Sequence, residues 1–356
     1  MPPPMLCIGS AIPTSMKKHK NIPIFISHKG CPHQCVFCNQ KTISGSTAPT
    51  LAEMEDIIET SLEKSTSKTE IAFFGGSFTG IDRGEMISYL SLAARYLQQK
   101  KICGIRLSTR PDYIDNEILD ILTHYGVTDI ELGVQSLSDK VLSACHRGHS
   151  AADTVRACRL IKSRPHFTLV GQMMPGLPAS TKDDDLLTAR MLFDLGVDAI
   201  RLYPTIVLKD TPLYENWQKG DYTPLSLESA VEICADILEE ARLRGVSCLR
   251  LGLCENESLH MDNGMQAGPF HEAFGELVMG ELMYRQMCAQ LQGKDVSGKE
   301  IIFLVCPGSL SKVIGHKKCN YNRLLARFLP KKIHFIESSD MDPDRVRLQE
   351  DHTIAP

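Results

Sequence analysis

The chain has 356 residues, of which 43% are hydrophobic and 23% are charged, as in ordinary globular proteins and unlike disordered or fibrous ones. A net charge of −4 excludes a globally basic nucleic-acid-binding protein but allows a local basic patch. The first twenty residues contain no apolar run long enough for a signal peptide or a membrane span, so we expect a cytoplasmic protein without a membrane anchor. In a reducing compartment, clustered cysteines more often bind metal than form disulfides.

Short apolar runs alternate with amphipathic segments from about residue 21 to residue 251. The predicted strands are residues 22–27, 69–74, 104–109, 128–134, 166–173 and 199–203. The predicted helices are residues 51–64, 84–99, 114–125, 151–162, 182–195 and 227–243. Strand-then-helix units in series predict a parallel sheet with right-handed crossovers, and six units are too few for a closed eight-stranded barrel. We therefore expect an α/β fold with a partial (β/α)6 TIM-like barrel.

The rhythm changes after the barrel. Residues 1–20 are interpreted as an N-terminal extension and 21–251 as the barrel. Residues 252–330 are expected to form a small α+β extension on the substrate side, with a helix at 274–290, a strand at 301–305 and a basic helical stretch at 310–328. Residues 331–356 are charged and weakly patterned, and we expect a tail with a frayed end.

Three thiols lie within eight residues directly after the first predicted strand, at Cys31, Cys35 and Cys38. A loop this short cannot pair them as disulfides, but it can direct three thiolates to one iron–sulfur cluster. Zinc is the alternative, because His33 would provide the fourth ligand that a tetrahedral site requires. Three unrelated buried cysteines are the remaining interpretation.

The spacing CxxxCxxC, with Phe37 before the last cysteine, resembles the signature of the radical S-adenosylmethionine (SAM) superfamily. The resemblance implies a 4Fe–4S cluster with one open iron that binds the amino and carboxylate groups of SAM. It also implies reductive cleavage of SAM to a 5′-deoxyadenosyl radical, and it implies that Phe37 lies near the adenine.

Further motifs follow the later predicted strands: Gly75-Gly76-Ser77-Phe78, "TRPDY", "GVQS", "RGH", "MMPGLP" and "LYPT". This series is similar to the radical SAM half of the Elongator catalytic subunit, which modifies tRNA wobble uridine, over about residues 22–250. The oxygen-independent coproporphyrinogen oxidases share part of it. The acetyltransferase-like domain of the Elongator subunit is not expected here, because the last hundred or so residues lack its glycine-rich pyrophosphate loop.

Two glycines allow the backbone to approach a ligand closely, so Gly75, Gly76 and Ser77 are candidates to bind the methionine end of SAM. The resemblance implies that Gln135 and Arg147 hydrogen-bond the SAM ribose and carboxylate. Ser108 and Gln172 are also SAM candidates, although the wider group tends to carry glutamate and aspartate at those positions.

The substrate side has weaker candidates. Tyr203 follows the sixth strand, and His260 and His271 lie in the loop-rich stretch after the barrel. A basic segment follows, comprising Lys312, Lys317, Lys318, Arg323, Arg327, Lys331 and Lys332. This density of cations is typical of a helix that follows an RNA backbone, or of a solvated basic face.

The leading hypothesis is a radical SAM enzyme that modifies a tRNA or another RNA base, with a one-electron reductant such as flavodoxin or ferredoxin as partner. A radical SAM enzyme acting on a small molecule such as a porphyrinogen is the second hypothesis. A non-catalytic haem- or cluster-binding chaperone of the same fold is the third.

Overall fold

The computed structural model describes residues 20–26, 29–31, 35–39, 48–64, 68–253 and 264–349. Its centre is a seven-stranded sheet in which every neighbouring pair is parallel. In spatial order the strands are β1 (Lys20–Phe25), β2 (Thr69–Phe74), β3 (Gly104–Thr109), β4 (Asp129–Gln135), β5 (Thr168–Met173), β6 (Ala199–Leu202) and β8 (Ser247–Leu251). The sheet curls into a half-barrel, which confirms the predicted fold class.

Helices follow the strands in sequence. Most of them pack against one face of the sheet, whereas the two shortest, Asp139–Ala144 and Pro212–Lys219, pack against the cysteine loop. The helices are α1 (Leu51–Glu63), α2 (Arg83–Gln98), α3 (Asn116–His124), α4 (Asp139–Ala144), α5 (Ala151–Lys162), α6 (Lys182–Asp194), α7 (Pro212–Lys219) and α8 (Leu227–Leu243). Capping boxes begin α1, α5 and α6, where Thr50, Ser150 and Thr181 each bind the backbone of an acidic residue three positions later. These caps define where the crossovers end and the helices start.

The main core lies between the helices and alternate strand residues such as Ile105, Leu107, Ile130 and Leu132. Successive side chains of a strand point to opposite faces, so the residues between these face the inside of the half-barrel. That inner face carries charged and polar side chains, and the candidate site lies at its carboxyl edge.

The seventh strand of the sheet, β8, is an addition to the six predicted strands. It pairs with β6, and its register shifts at Ile200 and Arg201. All five of its side chains are only half-buried. Its sequence, SCLRL, accordingly has no continuous apolar run, which was the pattern that predicted the other strands.

The C-terminal part has its own core beneath a three-stranded sheet in the order β11 (Lys332–Glu337), β10 (Glu300–Val305), β12 (Val346–Leu348). The helix α9 (Phe274–Leu291) joins the two cores, because Phe274 and Val278 pack in the first and Met283 onward in the second. A short antiparallel pair joins β7 (Val207–Leu208), which follows β6, to β9 (Met265–Ala267), which follows β8.

Two expectations for this part differ from the structure. The basic stretch 310–328 is not one helix but two, α10 (Leu310–Ile314) and α11 (Cys319–Phe328), separated by a turn in which Lys317 and Lys318 have φ of 50° and 62°. The segment 331–356, expected as a charged tail, provides β11 and β12. Each of these short strands has a single buried residue, Ile333 in β11 and Val346 in β12, which explains why the apolar pattern was weak.

None of the helices in the described parts of the chain combines the length and apolar character needed to cross a membrane.

Candidate active site

The cysteine loop lies at the carboxyl edge of the sheet, directly after β1. The Cys31 Sγ is 3.5 Å from the Ser77 Oγ, which follows β2. The Val36 N–H donates to the carbonyl of Cys145 at the end of α4 (3.1 Å), and the Cys38 N–H donates to the Cys35 carbonyl (3.0 Å). The loop is therefore attached to two other parts of the barrel, and its middle thiol, Cys35, is buried.

Gly76 brings the end of β2 against this loop. A Cβ at this position would lie 2.5 Å from the Lys29 carbonyl oxygen and 2.8 Å from that of Ile26. The Ser77 N–H also donates to the Lys29 carbonyl (2.9 Å). The glycine pair was predicted to allow close approach of a ligand to the backbone. In the structure, Gly76 also allows close approach of the segment that leads into the cysteine loop. Binding of SAM by Gly75, Gly76 and Ser77 stays a prediction.

Arg147 connects β4 to the cysteine loop. Its Nη1 donates to the Cys35 Sγ (3.4 Å) and its Nη2 to the Gly133 carbonyl (2.5 Å). The Arg147 carbonyl accepts a hydrogen bond from Arg110 Nη1 (2.7 Å), and Arg110 is itself paired with Asp112. A Cβ at Gly133 would lie 2.8 Å from the Arg147 Nη2, so the guanidinium occupies the space that a side chain would need.

Gln135 and Gln172 lie together at the same edge, with the Gln172 Nε2 3.5 Å from the Gln135 Oε1. The β4 register shifts between Gly133 and Gln135, and Gln135 has a left-handed φ of 68°. Such a conformation costs a non-glycine residue on the order of 1–3 kcal/mol and is typical of functional sites. The two predicted amides are thus neighbours on adjacent strands, and Gln135 lies at the bent end of β4.

Inside the half-barrel, a buried ion network connects four strands. Arg106 on β3 contacts three carboxylates, Glu70 (3.2 Å), Asp129 (2.8 Å) and Glu131 (3.0 Å). Glu131 also contacts Arg201 on β6 (2.8 Å). Glu70, Arg106 and Asp129 were not among the predicted site residues, although charged residues at alternate positions of otherwise apolar strands are the signal of such a network.

Tyr203 is attached to this network, because the Arg201 Nη1 donates to its Oη (3.2 Å). Burial raises the pKa of Tyr203 above its usual value, so the phenol stays protonated. Ser108 lies on β3 in register with Glu131. Ser108 therefore lies on the inner face of the half-barrel beneath the level of Gln172, whereas Tyr203, which follows β6, lies at the carboxyl edge.

His149 is a further buried polar residue near Arg147 that the sequence analysis did not select. Neither of its ring nitrogens has a hydrogen-bond partner in the described structure. Burial, with the charges of Arg147 and Arg110, lowers its pKa to about 3. The imidazole is therefore neutral at physiological pH.

The donor set is compatible with a 4Fe–4S cluster. Each thiolate of such a cluster binds a different iron, so the three thiols need not converge on one point. Among the residues that the structure describes, no three His, Cys, Asp or Glu side chains are grouped to hold a single metal ion. The buried Nε of Arg147, beside Cys35, also has no partner there. His33, the zinc alternative's fourth ligand, lies outside the described residues.

Phe37 is buried in a small apolar cluster with Cys35, Val36, Leu177 and Tyr222. It is therefore next to Cys35, one of the three predicted cluster ligands. Its contact with adenine stays a prediction.

The substrate candidates do not all lie together. The His271 ring is 5.8 Å from the His316 ring, and Phe270 packs against Ile206, which follows β6. His316 precedes Lys317 and Lys318, which are both exposed. This lysine turn, residues 316–318, is thus connected through His271 to the segment that follows β6, at the carboxyl edge of the sheet. His260 lies outside the described residues.

Arg323 is engaged within the C-terminal unit instead. It pairs with Glu281 (2.6 Å), and its guanidinium lies 3.6 Å from the centroid of the Tyr284 ring. Lys331 similarly pairs with Glu300 (3.1 Å). The predicted basic segment therefore divides into cations that stabilise the fold and an exposed turn.

Comparisons with known proteins agree with this geometry. The profile of the radical SAM superfamily matches residues 25–192, and that of the radical SAM C-terminal domain matches residues 197–284. An uncharacterized protein of Methanocaldococcus jannaschii is 30% identical over 232 residues, covering 61% of this chain and 70% of that protein. A tRNA uridine(34) acetyltransferase of the same organism is 28% identical over 255 residues, covering 60% and 47%.

Elongator complex protein 3 of Saccharomyces cerevisiae is 31% identical over 197 residues, covering 50% of this chain and 35% of that protein. The structure of Elp3 from Methanocaldococcus infernus, lacking its N-terminal residues, shares the fold, with a TM-score of 0.61 and 24% identity over 75% of this chain and 63% of that one. The chain thus spans less than half the length of the two named relatives. It belongs to the radical SAM superfamily, whose cofactors are a 4Fe–4S cluster and S-adenosylmethionine.

Proposed function

We propose that this chain is a radical SAM enzyme that modifies an RNA base, with its cluster on Cys31, Cys35 and Cys38. The observation that supports this most is the attachment of the cysteine loop to the carboxyl edge of a parallel half-barrel, through Ser77 and Arg147. Enzymes built on parallel sheets carry their chemistry at that edge. When bound, the cluster and SAM supply a 5′-deoxyadenosyl radical.

The chain's own residues orient SAM and protect the radical from water. Gln135 and Gln172 are paired at the rim, where their amides are suited to the ribose hydroxyls. Phe37 lies in an apolar cluster suited to the adenine ring. Gly75, Gly76 and Ser77 provide backbone groups beside Cys31 for the methionine end of SAM, and Ser108 lies deeper on the inner face. An external one-electron reductant, such as flavodoxin or ferredoxin, supplies the electron.

The RNA substrate is proposed from two features. The relatives with assigned names include a tRNA uridine(34) acetyltransferase. The lysine turn presents exposed Lys317 and Lys318 on the side of the carboxyl edge of the sheet. Exposed cations of this kind neutralise the phosphates of a nucleic-acid backbone. A tRNA substrate also implies a cytoplasmic location.

We further propose that residues 21–251 form the catalytic barrel and that the substrate-side unit, expected to end at residue 330, extends further to include β11 and β12. The second boundary is later than the sequence suggested, because β11 and β12 complete the sheet around β10. Tyr203, which follows β6, and His271, beside the His316 ring, are proposed to line the substrate cavity.

The experiment that tests the function compares modified nucleosides in tRNA from cells with and without the gene, by liquid chromatography and mass spectrometry. We expect at least one modified nucleoside to disappear with the gene and to return with the wild-type chain. A copy carrying Cys35→Ala should not restore it. An unchanged nucleoside profile would count against RNA modification and favour a small-molecule substrate.

A further inference from the structure

Arg147 has a position that binding SAM alone does not explain. Its Nη1 donates to the Cys35 Sγ at 3.4 Å, and it is 7% exposed. We infer that Arg147 is a positioning residue for the cluster, a buried cation that donates to the Cys35 thiolate and thereby raises the cluster's reduction potential. This inference rests on the proposed assignment of the cluster to the three cysteines.

Arg147 is held beside the Cys35 thiol by contacts of both its side chain and its backbone. Its Nη2 donates to the Gly133 carbonyl at 2.5 Å, on the bent end of β4. The Arg147 carbonyl accepts from Arg110, which is only 1% exposed and is paired with Asp112 at 2.9 Å. These contacts fix both the backbone and the side chain, so the cation is preorganised beside Cys35.

The charge of Arg147 requires an anion at this place. No carboxylate of the described residues forms an ion pair with it, in contrast to the buried Arg106, Arg110 and Arg201. An unpaired buried charge is costly. Among the described residues, a cluster-bound Cys35 thiolate is the anion that lies within hydrogen-bond distance of the guanidinium.

The sign of the effect follows from charge. Reduction adds one electron to a cluster that already carries anionic thiolates, so a neighbouring cation stabilises the reduced form more than the oxidised form. Hydrogen bonds to ligand sulfur act in the same direction and are a recognised control of cluster potentials. Loss of the cation therefore makes the potential more negative.

The test is a redox titration of the full-length chain, reconstituted anaerobically and followed by electron paramagnetic resonance without SAM. Arg147→Gln should shift the midpoint to a more negative potential, whereas Arg147→Lys, which keeps the charge, should shift it less. Arg156→Gln is the matched control, because Arg156 is an exposed arginine on α5 paired with Asp153. Its midpoint should equal that of the wild type.

An Arg147→Gln protein with an intact cluster and a wild-type midpoint, but weaker SAM binding, would overturn the inference and leave Arg147 as a SAM ligand only. If the variant loses its cluster, the wild-type chain with 15N-labelled arginine side chains decides. Pulsed resonance of its reduced cluster should show coupling to a guanidinium nitrogen, and absence of that coupling would contradict the inference. Failure of the wild type to assemble any cluster would overturn the proposed function as well, so the two failures are distinguishable.

Discussion

The inner face of the half-barrel and the surface of the C-terminal unit both carry several cations, but their environments are opposite. On the inner face, Arg106 and Arg201 are largely buried and share the carboxylate of Glu131. On the C-terminal surface, Arg323 and Lys331 pair with acids at the solvent boundary, and Lys317 and Lys318 have no ion pair among the described residues. The partners of a cation, and not the local density of charge, determine whether it supports the fold or is available to a ligand.

The same contrast applies to the cysteines and gives the largest expected effect. Cys35→Ala removes a proposed cluster ligand and should abolish iron and acid-labile sulfide after anaerobic reconstitution. Cys145→Ala is the matched control, because Cys145 is also buried and its hydrogen bond to the loop uses the backbone carbonyl, which the substitution keeps. It should keep a full cluster. Equal iron content in the two variants would contradict the assignment.

Removal of the shared carboxylate tests the inner network. Glu131→Gln leaves Arg201 and one nitrogen of Arg106 without their charged partner at a site that is 2% exposed, and should lower the free energy of unfolding by about 3–5 kcal/mol. Glu239→Gln, at a pair that is 59% exposed on the acid side, should cost less than about 1 kcal/mol. Denaturant titrations of both variants would measure this difference, and equal losses would remove the distinction between the two regions.

Asp185 is also a buried acid, but its partners are neutral hydrogen-bond donors, whereas Glu131 is paired with arginines. Its carboxylate accepts from the Gly176 N–H (3.0 Å) and the Ser180 hydroxyl (2.7 Å), and burial raises its pKa to about 6. Since the folded pKa lies above the unfolded one, its contribution to stability is full below the unfolded pKa and is lost as pH rises through about 6.

Asp185→Asn should remove that dependence. Relative to the wild type, the variant should gain up to about 3 kcal/mol in free energy of unfolding between acidic and neutral pH. Asp120→Asn, at an exposed ion pair, should show no such gain. A constant difference between Asp185→Asn and the wild type across this range would show that the carboxyl does not titrate there.

The lysine turn gives the smallest expected effect. Replacing Lys317 and Lys318 by glutamine should weaken tRNA binding about tenfold and reduce the slope of log affinity against log salt by about 2. The matched control is Arg323→Gln with Lys331→Gln, which removes the same charge from paired positions. Equal losses in the two double variants would indicate a diffuse electrostatic effect and no specific role for the turn.

The sequence predicted most of the barrel because its strands are apolar runs between amphipathic helices. It did not predict β8, whose side chains are half-buried, or the break at Lys317 and Lys318, since left-handed lysines leave no mark in composition. The cysteines, the glycine pair and the two glutamines were found through motifs that follow strands. The partners of Arg147, Arg201 and Arg323 were not, because contacts between residues distant in sequence depend on the packing of the whole sheet.

The account depends on a cluster that binds SAM at the carboxyl edge of the half-barrel. The most direct test is anaerobic incubation of the reconstituted chain with SAM and a strong one-electron reductant, followed by measurement of 5′-deoxyadenosine. The account predicts that 5′-deoxyadenosine forms with the wild type and not with Cys35→Ala. An intact 4Fe–4S cluster that leaves SAM uncleaved would contradict it and favour a binding protein of the same fold.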